Sequence, residues 1–162
     1  MTPASSISED GEGLSIRSLG VVSLVVILAQ LVLGATLRHS ATWDQPLPTP
    51  LLLAHIGGAV VVTLILGVTV MTSRLRYRDE KYLGRPALLA GALLAVQLCL
   101  GLAAYITRAA SPNDPQPLNP MIFVTVSHVA CGALVFATTI VLTLRVFRVL
   151  RVERQTYVLA PA

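Results

Sequence analysis

The sequence predicts an all-α integral membrane protein, a four-helix bundle with a two-helix pseudo-two-fold repeat. Three observations lead there. Of the 162 residues, 54% are hydrophobic and only 12% charged, with a mean hydropathy of +0.74; a soluble domain carries about twice that charged share. The charges are also segregated. No Asp, Glu, Lys or Arg occurs between Arg17 and Arg38, Asp44 and Arg74, Arg85 and Arg108, or Asp114 and Arg145, and each gap can hold the roughly 20 apolar residues that cross a bilayer core. Finally, the segment QLVLGA from Gln30 returns as QLCLGL from Gln97.

Residues 1–17, rich in Ser, Glu and Gly, read as a disordered cytoplasmic tail, because they offer too little apolar surface to bury. The bundle occupies 18–148, with spans near 19–37, 50–72, 87–107 and 121–144. The first span is not a cleaved signal peptide: it is too long, and Gln30, Gly34 and Thr36 interrupt it without a small-residue cleavage site. Prolines 46, 48, 50, 112, 115, 117 and 120 shape the two outer connections, and Pro50 and Pro120 stand where a helix starts. Trp43 and Tyr105 suit the aromatic belt at the membrane boundary. Residues 149–162 form a second cytoplasmic tail.

Arg74, Arg76, Arg78, Lys81 and Arg85 crowd the middle connection, and Arg145, Arg148, Arg151 and Arg154 follow the last span. The positive-inside bias then puts both termini and the middle connection in the cytoplasm, as expected for a bacterial-type inner membrane protein. At span ends these basic clusters report topology and contact with membrane lipid, not nucleic-acid binding. Cys99 and Cys131 both fall within spans, where cysteine serves as a small apolar residue, and the outer connections have none to pair.

The repeat extends beyond its six residues. Each copy is followed by an arginine (Arg38, Arg108), a proline-rich outer connection, and an even-numbered span carrying a histidine (His55, His128) with small residues after it. Both copies run in the same direction, so they are related by an axis along the membrane normal. His55 lies about five residues below the outer end of its span and His128 about seven, depths of about 8 and about 10 Å. An ionisable group inside a span is costly and marks a partner or a pathway. A haem standing between the second and fourth spans could take one imidazole on each side of its iron, with glycine and alanine one turn away letting the macrocycle approach the backbone; the same residues also suit close helix packing.

Two other readings of the pair stay open: two separate polar contacts between helices, or another metal or a proton relay. Zinc wants four ligands in a structural site, copper would want a set of Cys and Met that is not there, and a proton relay would normally recruit a carboxylate. Gln30 and Gln97 either hydrogen-bond across helices or orient a ligand histidine through its second nitrogen. Arg38 and Arg108 either snorkel to water or pair with haem propionates. His39 is interfacial or touches a substrate.

The segments LGATLRHS ending span one, His55 in span two, QLCLGLAAYITR in span three and SHVACGALVF in span four resemble the heme A synthase family, membrane proteins of cytochrome oxidase assembly. The resemblance covers all four spans and corresponds to one four-helix half of a family member with eight. It implies that His55 and His128 hold a b-type haem, and that the Arg38-His39-Ser40 segment matches the family's R-x-T. It also implies work in haem A biosynthesis or terminal oxidase assembly, in a homodimer, beside a second four-helix half, or with assembly factors. The family's catalytic half carries a glutamate three residues before its first histidine, where this chain has Leu52; Thr125, three before His128, is not acidic either. The outer cysteine pair of many members is absent. The resemblance is therefore to the cofactor-holding half, and oxidoreductase activity does not follow from it. Two rivals from other classes are a quinol-linked b-type cytochrome and a haem-free assembly scaffold.

Overall fold

The computed structural model describes residues 15–40, 48–77, 81–110 and 119–159, without the side chains of Lys81 and 152–159. Four helices account for almost all of it: α1 (Ile16–Ser40), α2 (Thr49–Leu75), α3 (Lys81–Ala109) and α4 (Asn119–Leu159). All four are long and apolar enough to cross a membrane. Helix is the only open structure whose backbone groups are all satisfied within one segment in hydrocarbon. The outward faces are as apolar as the inward ones, with Val25, Leu64 and Leu102 each at least 60% exposed, as expected when lipid replaces water as the surroundings.

Each helix encloses its expected span and exceeds it by several residues. Pro50 lies in the first turn of α2 and Pro120 in that of α4. The tail expected at 1–17 meets helix at Ile16, and its first 14 residues lie outside the described ones, as do Trp43 and the prolines at 46, 112, 115 and 117. The tail expected at 149–162 is helical through Leu159. Arginines every third residue, 145, 148 and 151, give no helix-breaking signal there, so α4 runs on past the apolar stretch that defined the span.

The start of α3 also differs. The third span was expected from residue 87, yet α3 begins at Lys81 and runs through Pro86. A proline within a helix has no N–H for the carbonyl four residues back, here that of Tyr82. Arg145 of α4 replaces the missing donor, its Nη1 donating to the Tyr82 carbonyl at 2.8 Å.

The helices form a ring in chain order. α1 packs on α2 and α4, α3 packs on α2 and α4, and the diagonal pairs have no close backbone approach. Packing is most extensive within the two hairpins, α1–α2 and α3–α4. The core lies toward the end that carries the termini. One layer there joins Ile27, Val62, Leu66, Leu94 and Val135, and a second joins Ile16, Leu83, Ala87, Leu142 and Val146. Buried hydroxyls sit among them: Ser23 and Thr69 are 2.9 Å apart, and Thr69 and Ser73 also bond carbonyls one turn back. Toward the other end the chain buries little. Among described residues 28–40, 48–61, 95–110 and 119–132, only Met121, Cys131 and Gly132 are buried.

Candidate functional site

The two hairpins each build half of one site in this loosely packed end. Gln30 and Gly34 are four residues apart on α1, so they share a face, and that face meets His55 and Gly58 of α2. The Gln30 amide nitrogen donates to the His55 carbonyl at 2.8 Å and lies 3.1 Å from its Nδ1. An amide nitrogen only donates and a carbonyl only accepts, so the amide orientation is set and Nδ1 is the acceptor. Gly34 lies against the ring: a Cβ there would stand 2.9 Å from Cε1 of His55. A Cβ on Gly58 would land on Oε1 of Gln30.

The second hairpin repeats the arrangement. A Cβ on Gly101 would stand 3.0 Å from Cε1 of His128, and one on Gly132 would stand 3.0 Å from Nε2 of Gln97. The pseudo-two-fold is thus present at the level of side-chain contacts. It is also imperfect. Gln97 reaches Nε2 of its histidine, at a long 3.4 Å, and the spacing from histidine to the glutamine's glycine is four residues instead of three. Nδ1 of His128 and Oε1 of Gln97 are consequently buried without a partner, which costs about 1–3 kcal/mol per group unless something pairs with it.

α2 and α4 face each other diagonally, and their histidines meet across the middle of the ring. The imidazole centroids are 6.5 Å apart with ring planes at 77°. A metal–imidazole bond of about 2 Å plus about 1.1 Å from nitrogen to ring centre, doubled, gives about 6.2 Å for two imidazoles directed at one ion. The centroid spacing is close to this value, and the surroundings of the pair are sparsely packed. No cluster of three or more His, Cys, Asp or Glu side chains occurs among the described residues, so a four-ligand zinc site has no donor set here.

The other candidate residues take less central places. Arg38 is exposed and Arg108 half-buried, each in the last turn of its helix on the histidine side of the bundle. His39 is exposed beside Arg38, and among the described residues no hydrogen bond or ring contact joins it to the histidine pair. Tyr105 is 49% exposed near the end of α3, as a boundary aromatic would be. Cys131 is buried, its thiol directed at the Leu93 carbonyl, whereas Cys99 is exposed.

Of the two uses open to the glycines after the histidines, Gly58 and Gly132 take close helix packing, covered by the two glutamines, and a Cβ on Gly57 would meet nothing within 4 Å. The glycines that touch the imidazoles are Gly34 and Gly101, on the opposite helices. Their signal was present in the repeat, since Gln and Gly four apart occupy one helix face in both copies.

No family model matches the chain, and neither a curated protein nor a solved structure does.

Proposed function

We propose that this protein holds one b-type haem between His55 and His128, and that it serves haem A formation or cytochrome oxidase assembly. The observation that carries the first half is the 6.5 Å separation of the two imidazole centroids across the bundle. The second half rests on the resemblance to one half of a heme A synthase. In the same reading the termini face the cytoplasm of a bacterial-type inner membrane, and the histidine end faces outward.

His55 and His128 would hold the iron, and haem bound there would supply a one-electron redox centre. Gln30 holds the His55 carbonyl and donates to Nδ1; a neutral ring whose Nδ1 accepts carries its proton on Nε2. Iron ligation would therefore require Nδ1 to give up this contact, with Gln30 keeping its hold on the carbonyl, and Gln97 is the looser counterpart. Arg38 and Arg108, at the rim nearest the pair, would meet propionates in bidentate pairs. Lipid-facing Val and Leu residues on all four helices exclude water from the sides.

His55 and His128 would both be engaged in holding the iron, and Leu52 and Thr125 offer no carboxylate to accept a proton. These features favour holding haem or passing electrons over oxidising a substrate, so a second reading is a membrane cytochrome accepting electrons from a quinol. A homodimer or a separately encoded second half would complete an eight-helix unit beside oxidase assembly factors.

The absorption spectrum of the full chain, purified after expression with ample haem, tests haem binding. A Soret band that disappears in both His55→Ala and His128→Ala is expected; its absence from the unaltered protein refutes the proposal. Pigments from a synthase-deficient host expressing the chain separate the two readings. Haem A appears if it supports synthesis. Haem B alone, together with reduction by a quinol analogue, identifies an electron carrier.

A further inference from the structure

The opposite end of the bundle carries a feature that the histidine site does not use. A cavity of about 410 Å³ opens between the end of α2 and the start of α3, lined by Arg74, Leu75, Tyr77 and Gly84. Water occupies about 30 Å³ per molecule, so this space would take about a dozen waters, or a phosphodiester with its glycerol. Its lining is amphipathic. Arg74 supplies a guanidinium, which suits phosphate oxygens through parallel N–H donors. Among the described residues Arg74 has no hydrogen bond or ion pair. Leu75 is 65% exposed beside it, and Tyr77 packs its ring against the core layer of Ile16, Leu83 and Leu142.

Depth and charge agree with this chemistry. Arg74 directly follows the charge-free stretch 45–73, so it stands where hydrocarbon gives way to headgroups. Arg76, Arg85, Arg148 and Arg151 are exposed at the same end, next to outward-facing Tyr82 and Phe147. The wall provided by α3 is held in place, because Arg145 ties the Tyr82 carbonyl to α4. Gly84 leaves the cavity open: a Cβ there would meet nothing within 4 Å. The connection 78–80, with Asp79 and Glu80, lies outside the described residues.

We infer that this cavity is a binding site for the phosphodiester headgroup of an anionic phospholipid of the adjoining leaflet, with Arg74 as its charged contact. The inference is independent of the haem reading. Anionic lipid attracts basic residues near the surface, but a diffuse collar of arginines would not distinguish one residue from another, and a built cavity does.

The test is native mass spectrometry of the full chain in neutral detergent, titrated with phosphatidylglycerol, phosphatidylcholine or inorganic phosphate. One phosphatidylglycerol per chain is expected, bound at least about fivefold tighter than phosphatidylcholine, with no comparable binding of inorganic phosphate. Arg74→Gln weakens phosphatidylglycerol about fivefold. Gly84→Leu fills the space and abolishes the preference, its fold checked by circular dichroism; should it not fold, Arg74→Gln decides. Arg148→Gln, an exposed arginine at the same end, changes affinity less than about twofold. Equal binding of phosphatidylcholine, an unaffected Arg74→Gln, or equal losses in Arg74→Gln and Arg148→Gln overturns the site. Arginine-dependent binding of inorganic phosphate as tight as that of the lipid overturns the lipid assignment.

Discussion

Replacing Gly34 by alanine probes the histidine site with one methyl group. That methyl would stand 2.9 Å from Cε1 of His55, against about 3.5 Å for the closest comfortable carbon–carbon contact. The imidazole must therefore retreat by about 0.6 Å, because it is the far end of a side chain and moves before a helix does. Retreat from α1 stretches the 3.1 Å contact between Gln30 and Nδ1 to about 3.7 Å, beyond hydrogen-bonding reach. Overpacking of this kind costs about 1–3 kcal/mol where the ring cannot retreat; an iron held by His55 would fix the ring, so haem affinity falls about fivefold to about 150-fold while the chain remains folded. The assay is a Soret titration of the purified protein, with thermal unfolding alongside. Gly57→Ala is the control, since its methyl meets nothing within 4 Å and only gains helix propensity. Wild-type affinity in Gly34→Ala, or an equal loss in Gly57→Ala, refutes the reasoning.

Other outcomes follow from the same contacts. Gln30→Leu removes two hydrogen bonds and lowers unfolding stability by about 1–2 kcal/mol. Gln97→Leu removes one long contact and a buried unpartnered oxygen, so it costs under about 0.5 kcal/mol or stabilises; equal losses in the two, measured by denaturant titration in detergent, contradict the asymmetry of the half-sites. Arg145→Gln leaves the Tyr82 carbonyl without its donor and destabilises by about 1–3 kcal/mol. Pro86→Ala restores a backbone N–H to that carbonyl, so the double variant recovers most of the loss; additive effects in the cycle rule out the shared carbonyl. Gly20→Ala sets a methyl 2.9 Å from Oγ1 of buried Thr143 and lowers the melting temperature, and Thr143→Ala relieves it.

The spans were legible because lipid imposes a blunt rule: a charge-free run of sufficient length has one stable use. The level of the two histidines was legible too, since the repeat places Gln30 and Gln97, and His55 and His128, at matching depths of a two-fold bundle. The interlocks were not. Whether Gly58 opens a path for a macrocycle or receives a glutamine depends on the neighbour across the helix pair, and apolar faces in lipid carry no stripe to reveal that neighbour. Nothing near Pro86 reveals that α3 runs through it, because the remedy for its missing N–H, Arg145, lies 59 residues on. The end of α4 was obscured for a different reason. The charge of its arginines marks the end of the membrane and says nothing of the end of the helix.

Electron paramagnetic resonance of the ferric, haem-loaded protein addresses the central claim most directly. Two imidazoles on one iron with planes 77° apart predict a low-spin centre of large g anisotropy, converted to high spin by His55→Ala and by His128→Ala alike. A high-spin signal in the unaltered protein, or a low-spin signal that survives either substitution, would mean that the iron is not shared by these two side chains.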